Sequence, residues 1–107
     1  MRILFDQGTP VPLRLAPSNH QVSTTYEKGW ADLENGSLLR VAETEFDLFI
    51  TTDRNLRDQQ DLAGRRLSIL VLPTTSWPRL RAHVARITAA IDAIRVGECM
   101  ELSIMQL

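Results

Sequence analysis

The sequence predicts an α/β domain: a mostly parallel central sheet flanked by helices. Three observations lead there. Short apolar, β-branched runs alternate with segments patterned as helices. Two of those runs stop on an aspartate, at Phe5-Asp6 and Thr52-Asp53. A long stretch after Ser76 carries one apolar face at helical spacing.

Taken in order, residues 2–5 are apolar after Arg2 and end at Asp6, which predicts a short buried strand. Gly8 to Leu13 predicts a turn and a helix start, with Thr9 as N-cap and Pro10 or Pro12 in the first turn. Pro17-Ser18-Asn19 ends that helix. Gln21 to Tyr26 is brief and β-branched, a second strand. Lys28-Gly29-Trp30 is a turn. A helix fits from about Glu34 to Glu45, with Leu38, Leu39, Val41 and Ala42 as its apolar stripe. Asp47 to Asp53 is a third strand, and polar Asn55 to Leu62 a short helix stopped by Gly64. Leu67 to Leu72 is a strand that Pro73 terminates. Ser76, before Trp77-Pro78, starts a helix that runs to about Arg95. Leu80, Val84, Ile87, Ile91 and Ile94 line one face of it, and Gly97 ends it. Met100, Leu102 and Ile104 alternate with polar residues, as a last strand at a sheet edge would.

At 107 residues the chain is one domain, residues 1–107, large enough to bury a core without staples. Its single cysteine, Cys99, excludes an internal disulfide and a cysteine-based zinc site, and reads as a small packed residue. Asp6 and Gln7 interrupt the N-terminal apolar run far short of a signal sequence, and nothing approaches a membrane span. The expected location is therefore cytoplasmic, with no membrane partner. A net charge of −1 excludes a molecule that binds nucleic acid through overall basicity. The charge is uneven, however. Most carboxylates precede residue 62, and the remainder holds Arg65, Arg66, Arg79, Arg81, Arg86 and Arg95. Such asymmetry fits an acidic site beside a phosphate-binding face, and equally a solvated surface.

In open parallel sheets, ligands bind outside the carboxyl ends of the strands, where the strand order reverses. If the first and third strands are neighbours, in the order 2-1-3-4-5, Asp6 and Asp53 face each other across that crevice. Two carboxylates so close repel unless one is protonated or a cation lies between them. Magnesium suits the position, as a hard ion that takes oxygen ligands, retained waters and a phosphate oxygen. Bound there, it would activate a water for attack on a phosphate. The plainer alternative is an Asx turn at each strand-to-helix corner. Glu34, Glu43, Glu45, Asp58 and Asp61 are the candidates for a third ligand, and Glu34 is the best placed of the early group. Thr51 and Thr52 hydroxyls, Arg54 and Asn55 are placed to orient carboxylates or touch a phosphate. His20 and His83 have no Ser or Cys nucleophile motif nearby and read as surface residues. Trp30 and Trp77 lie beside turns and read as packing anchors, with base stacking as the alternative.

Four segments, read together, carry a resemblance: Met1 to Pro10, Tyr26 to Trp30, Asn35 to Leu39 and Thr51 to Leu56. Asp6-Gln7-Gly8-Thr9-Pro10 follows a strand–Asp–(Gln/Glu)–(Gly/Asn)–x–Pro motif. Thr51-Thr52-Asp53-Arg54-Asn55-Leu56 follows Thr-x-Asp-x-(Asn/Asp)-(Leu/Phe). In this order and spacing they resemble a family of short bacterial PIN-like proteins, regarded as nucleases or as toxins of toxin–antitoxin systems. The resemblance implies a three-layer PIN-like sandwich and metal-dependent RNA cleavage by clustered carboxylates, with Mg2+ or Mn2+ as cofactor. Asp6 and Asp53 match two of the family's acidic positions and are implied as metal ligands. A third acid in the family precedes the apolar pair of the second helix, and here that position is Ser37. Serine is a poor replacement for a charged ligand, and Glu34, one turn earlier on the same helix face, is the candidate substitute.

The leading expectation is thus a Mg2+- or Mn2+-dependent endoribonuclease acting on RNA. Its catalytic acids are Asp6, Asp53 and Glu34, and its substrate-binding residues Thr52, Arg54, Asn55 and Arg57. An antitoxin protein is the implied partner, and the amphipathic last helix and strand offer a homodimer surface. The alternative is a non-catalytic interaction module whose acidic site is incomplete at Ser37. A phosphoacceptor domain is a third class, but Asp6 is followed by Gln7 and Gly8 rather than by a second acid.

Overall fold

The strands at the centre of the fold are those with no polar face. In β1 (Arg2–Phe5), Ile3, Leu4 and Phe5 are all buried; so is every residue of β3 (Leu48–Thr51) and of β4 (Ser68–Val71). Strands hydrophobic on both faces need cover on both sides, which is the environment of a parallel α/β sheet. The computed structural model, which describes residues 1–15, 20–56 and 64–103, shows that sheet. Its order is β2-β1-β3-β4-β5, with β2 (Gln21–Thr24) and β5 (Cys99–Glu101) at the edges and every pairing parallel. The chain builds outward from β1 to β2, then returns to place β3 on the other side of β1. That reversal makes the β1–β3 boundary the switch point.

Side chains alternate along a strand, so each strand serves two cores. Ile3, Phe5, Leu48, Ile50, Leu70 and Leu72 point to one face and pack with Leu13, Leu80, Ile87 and Ile91. Leu4, Phe49, Ile69 and Val71 point to the other, under Leu38, Leu39 and Ala42 of α2 (Asn35–Glu45). The result is three layers, helix on sheet on helix. Cys99 packs against the second cluster, in the packing role expected of it. Among the described residues no helix is long and apolar enough to cross a membrane.

Three elements differ from expectation. Val11–Leu15 is a 3-10 helix and Thr9 does not cap it; Leu13 N–H donates to Pro10 O in the i to i−3 pattern. The second strand ends at Thr24 rather than Tyr26, because Thr24 and Glu27 form a capping box that starts α1 (Thr25–Lys28). Gly29, at φ 75°, closes that turn, where a side chain would be strained. The single helix expected after Ser76 is two, α3 (Trp77–Arg81) and α4 (Val84–Ala93), parted at His83, whose φ of −123° and ψ of 23° leave the helix. The apolar spacing runs through the break unaltered: Leu80, Ile87 and Ile91 are buried in one cluster, and Val84 and Ile94 pack against it. Arg57, Asp58, Asp61, Ile104 and most of the helix expected over 55–62 lie outside the described residues.

Arg14 joins the 3-10 helix to α1 and β2, donating to Glu27 Oε2 at 3.0 Å and to Val22 O at 2.9 Å. The Arg14 hydrogen bond, helped by the Thr24 amide, holds the Glu27 carboxyl below its ordinary range. A carboxyl lowered in the folded state stabilises the fold above its unfolded pKa, and that stabilisation is lost as pH falls through the folded value. Glu27→Gln should therefore melt below the wild type at neutral pH, with the gap closing in acid below the glutamate range. A gap of constant size across that range would contradict the assignment.

Candidate functional site

Parallel neighbours deliver their carboxyl ends to the same edge, and here each of the two central strands delivers an aspartate. The register sets Phe5 opposite Ile50. Asp6 N–H extends the ladder by donating to Ile50 O at 2.9 Å. The Thr9 hydroxyl donates to the same carbonyl at 3.0 Å, and Thr9 N–H donates to Asp6 O at 3.0 Å. Thr9 thus folds the loop after β1 back onto β3, which is the work it does in place of capping.

Thr51, the last residue of β3, is wholly buried, and its hydroxyl is used twice. It donates to Asp6 Oδ2 at 2.8 Å and accepts from Asp53 N–H at 3.1 Å. One side chain therefore fixes both acidic segments. Asp6 Oδ1 accepts from Gln7 N–H at 2.9 Å. Asp53 Oδ1 accepts from Asn55 N–H at 3.0 Å, an Asx-type turn. Asn35 Nδ2, at the start of α2, lies 3.4 Å from Asp53 Oδ2, a long hydrogen bond.

All of these donors are neutral. Among the described residues no lysine or arginine forms an ion pair with Asp6 or Asp53. Each carboxylate oxygen has two lone-pair sites, and the bonds among the described residues use one. The Asx turn accounts for one oxygen of Asp53 and leaves the rest unexplained. Two half-buried, hydrogen-bonded carboxylates with only neutral donors among the described residues suit a magnesium-sized ion, which one or two carboxylates hold while water and phosphate oxygens complete the shell. Asp6 and Asp53 are the residues that would hold it. Among the described residues no group of three His, Cys, Asp or Glu side chains comes together as a metal site.

The other expected site residues are distributed around this pair. Glu34 is the N-cap of α2, exposed, with no side-chain capping bond. Its neighbour Asn35, which opens one of the four segments carrying the resemblance, is the residue that reaches Asp53. Ser37 is half-buried in that turn and accepts from Arg40 at 3.3 Å. Thr52 packs against Gly8, where a Cβ would collide with its hydroxyl. Arg54 is exposed and 3.9 Å from Glu101, a loose bridge from the end of β3 to β5. Asn55 contributes its amide, and Arg57 lies outside the described residues. His20 is occupied by the N-terminal amine and Asp92, both at 3.1 Å. Trp30 packs edge-on against Phe46, and Trp77 packs against the first core, the anchoring role expected of both.

Comparison with protein-family models, with curated proteins and with solved structures finds no match to this chain.

The close approach of Gly8 to Thr52 holds the loop after Asp6 over the end of β3. Gly8→Ala should cost about 1–3 kcal/mol in urea unfolding, the usual cost of overpacking. Thr52→Ala removes the colliding oxygen and should recover most of that loss in the double variant. Additive losses would show that the two residues are not in contact.

Proposed function

We propose that this chain is a Mg2+- or Mn2+-dependent endoribonuclease of PIN-like type that hydrolyses RNA phosphodiesters. The observation that carries the reading is the Asp6–Thr51–Asp53 arrangement: two carboxylates at the switch point, anchored by neutral donors and paired with no lysine or arginine among the described residues. The spacing of the Asp6–Pro10 and Thr51–Leu56 motifs adds the PIN-like resemblance. When bound, the ion supplies a polarised phosphate and a water that ionises more readily. The chain's own part is to hold geometry. Thr51 sets the rotamer of Asp6 and the backbone at Asp53, Asn35 leans on Asp53 from α2, and Gln7 N–H fixes the remaining Asp6 oxygen. Arg54 is the cation nearest in sequence to the pair. Its exposed, 3.9 Å link to Glu101 is worth little and is readily given up to a phosphate. A toxin role, with a small antitoxin as partner, follows from the same resemblance.

A second reading has its own support. Among the described residues no third acid joins the pair, and Ser37 occupies the position where the resembling family carries one. On that reading the chain is a non-catalytic PIN-like interaction module.

Digestion of single-stranded RNA with manganese separates the two. Wild-type protein should cleave, and Asp6→Asn and Asp53→Asn should each lower the rate at least about 100-fold, the scale of a lost metal ligand. Cleavage at undiminished rate in both variants would overturn the ribonuclease reading. Ser37→Glu adds a carboxylate to the first turn of α2, where negative charge is also favoured by the helix dipole. It should tighten manganese binding roughly tenfold, the effect of one more charge at close range, as read by calorimetry. Unchanged affinity would show that this turn does not face the ion.

A further inference from the structure

A cleft of about 400 Å³ opens at the carboxyl ends of β1 and β2 and includes Asp6 itself. Thr9 and Thr25 are its buried members, at 4% and 1% exposed. Gln7, Val11 and Tyr26 are its exposed ones, the last two at 59% and 82%. The exposure of Tyr26 stands out because α1 is held in place without it. Thr24 and Glu27 cap its start, Gly29 closes its end, and Arg14 braces Glu27. Tyr26 is thus presented on a fixed turn while contributing little to packing. Trp30, four residues on, does the opposite: it stacks edge-on with Phe46 at 6.1 Å and lies under the Lys28 ammonium at 5.1 Å.

The floor adds a second observation. Thr25 Oγ1 is buried and has no hydrogen-bond partner. A buried hydroxyl without a partner is destabilising, and Thr25 lines the cleft, so a turn about χ1 would bring the group to a ligand seated there. Charge decides what that ligand is. The Asp6 carboxylate on the cleft repels a phosphate from its interior, whereas a neutral flat ring meets an aromatic face, a valine and hydroxyls. A phosphate is tolerated only at the outer edge, where a cation held by Asp6 and Asp53 would neutralise it.

Resting on the ribonuclease reading, we propose that this cleft seats one unpaired nucleobase of single-stranded RNA. The base stacks on Tyr26, next to the phosphate addressed by Asp6 and Asp53, and Thr25 supplies a hydrogen bond to its edge. A paired base is stacked within its duplex and cannot enter, so the substrate is single-stranded. Tyr26 is a binding residue and takes no part in the chemistry.

Fluorescence anisotropy of an end-labelled single-stranded RNA, with calcium as the divalent cation, reads binding without requiring cleavage. Tyr26→Ala should raise Kd about 5- to 100-fold, the range of one lost base–aromatic stack, and Tyr26→Phe should bind as the wild type does. Moving a single abasic nucleotide along the RNA should reveal one position that weakens wild-type binding similarly and adds nothing further in Tyr26→Ala. Unchanged affinity in Tyr26→Ala, or an abasic penalty of equal size in both proteins, overturns the base site while leaving manganese-dependent cleavage intact. If wild-type protein neither binds nor cleaves RNA, both the base site and the ribonuclease reading fall.

Discussion

The parallel pairing of β1 with β3 is the constraint on which the rest of this molecule depends. Both strands are buried on both faces, so neither can occupy an edge, and each must be covered by helices on two sides. Parallel neighbours need a crossover between them, which here carries β2, α1 and α2. That crossover leaves the switch point directly between the two strands. Their carboxyl ends then share one edge, and two aspartates separated by most of the N-terminal half of the sequence become neighbours through Thr51.

Bringing two carboxylates to a half-buried edge is costly unless their charge is compensated. In a structural ion-pair network, lysine or arginine would supply the compensation, as Lys28 does for Glu45 at 2.7 Å and Arg14 for Glu27 at 3.0 Å. The acidic pair has instead a hydroxyl, backbone amides and one long amide contact from Asn35. Such donors orient carboxylates without neutralising them. This contrast within one chain is the physical reason for reading the pair as a site for a divalent ion. The proposed role of Tyr26 fits the same picture, since a neutral stacking surface beside an acidic pair would sort a nucleotide into its base and its phosphate.

The fold was legible where the sequence pattern has one dominant cause. Ile3-Leu4-Phe5, Leu48 to Ile50 and Ile69 to Val71 are apolar on both faces, and burial alone explains them. Strand–helix alternation predicts the parallel sheet, and order 2-1-3-4-5 is the arrangement under which the two aspartates meet. Local hydrogen-bond chemistry was harder to read. Thr24 and Thr25 look like strand residues by β-branching, yet the Thr24-x-x-Glu27 capping box overrides that preference. Thr9 resembles an N-cap, but the carbonyl of Ile50, far along the chain, claims its hydroxyl. The break at His83 left no trace because Leu80, Val84 and Ile87 keep helical spacing across it. At the site, Asp6, Asp53 and Thr51 were visible as strand endings. The contact of Asn35 with Asp53 and the exposed setting of Tyr26 were not legible, because they depend on where α2 and α1 begin, which tertiary contacts and caps decide.

Calorimetric titration of manganese into wild type, Asp6→Asn and Thr51→Val tests the divalent-ion reading most directly. Wild type should bind manganese at a single site, Asp6→Asn should lose that site, and Thr51→Val should keep it about 10- to 100-fold weaker, as expected when the residue that orients a ligand is removed. Absence of binding heat in the wild type, or one affinity shared by all three proteins, would contradict the assignment of Asp6 and Asp53 as an ion site organised by Thr51.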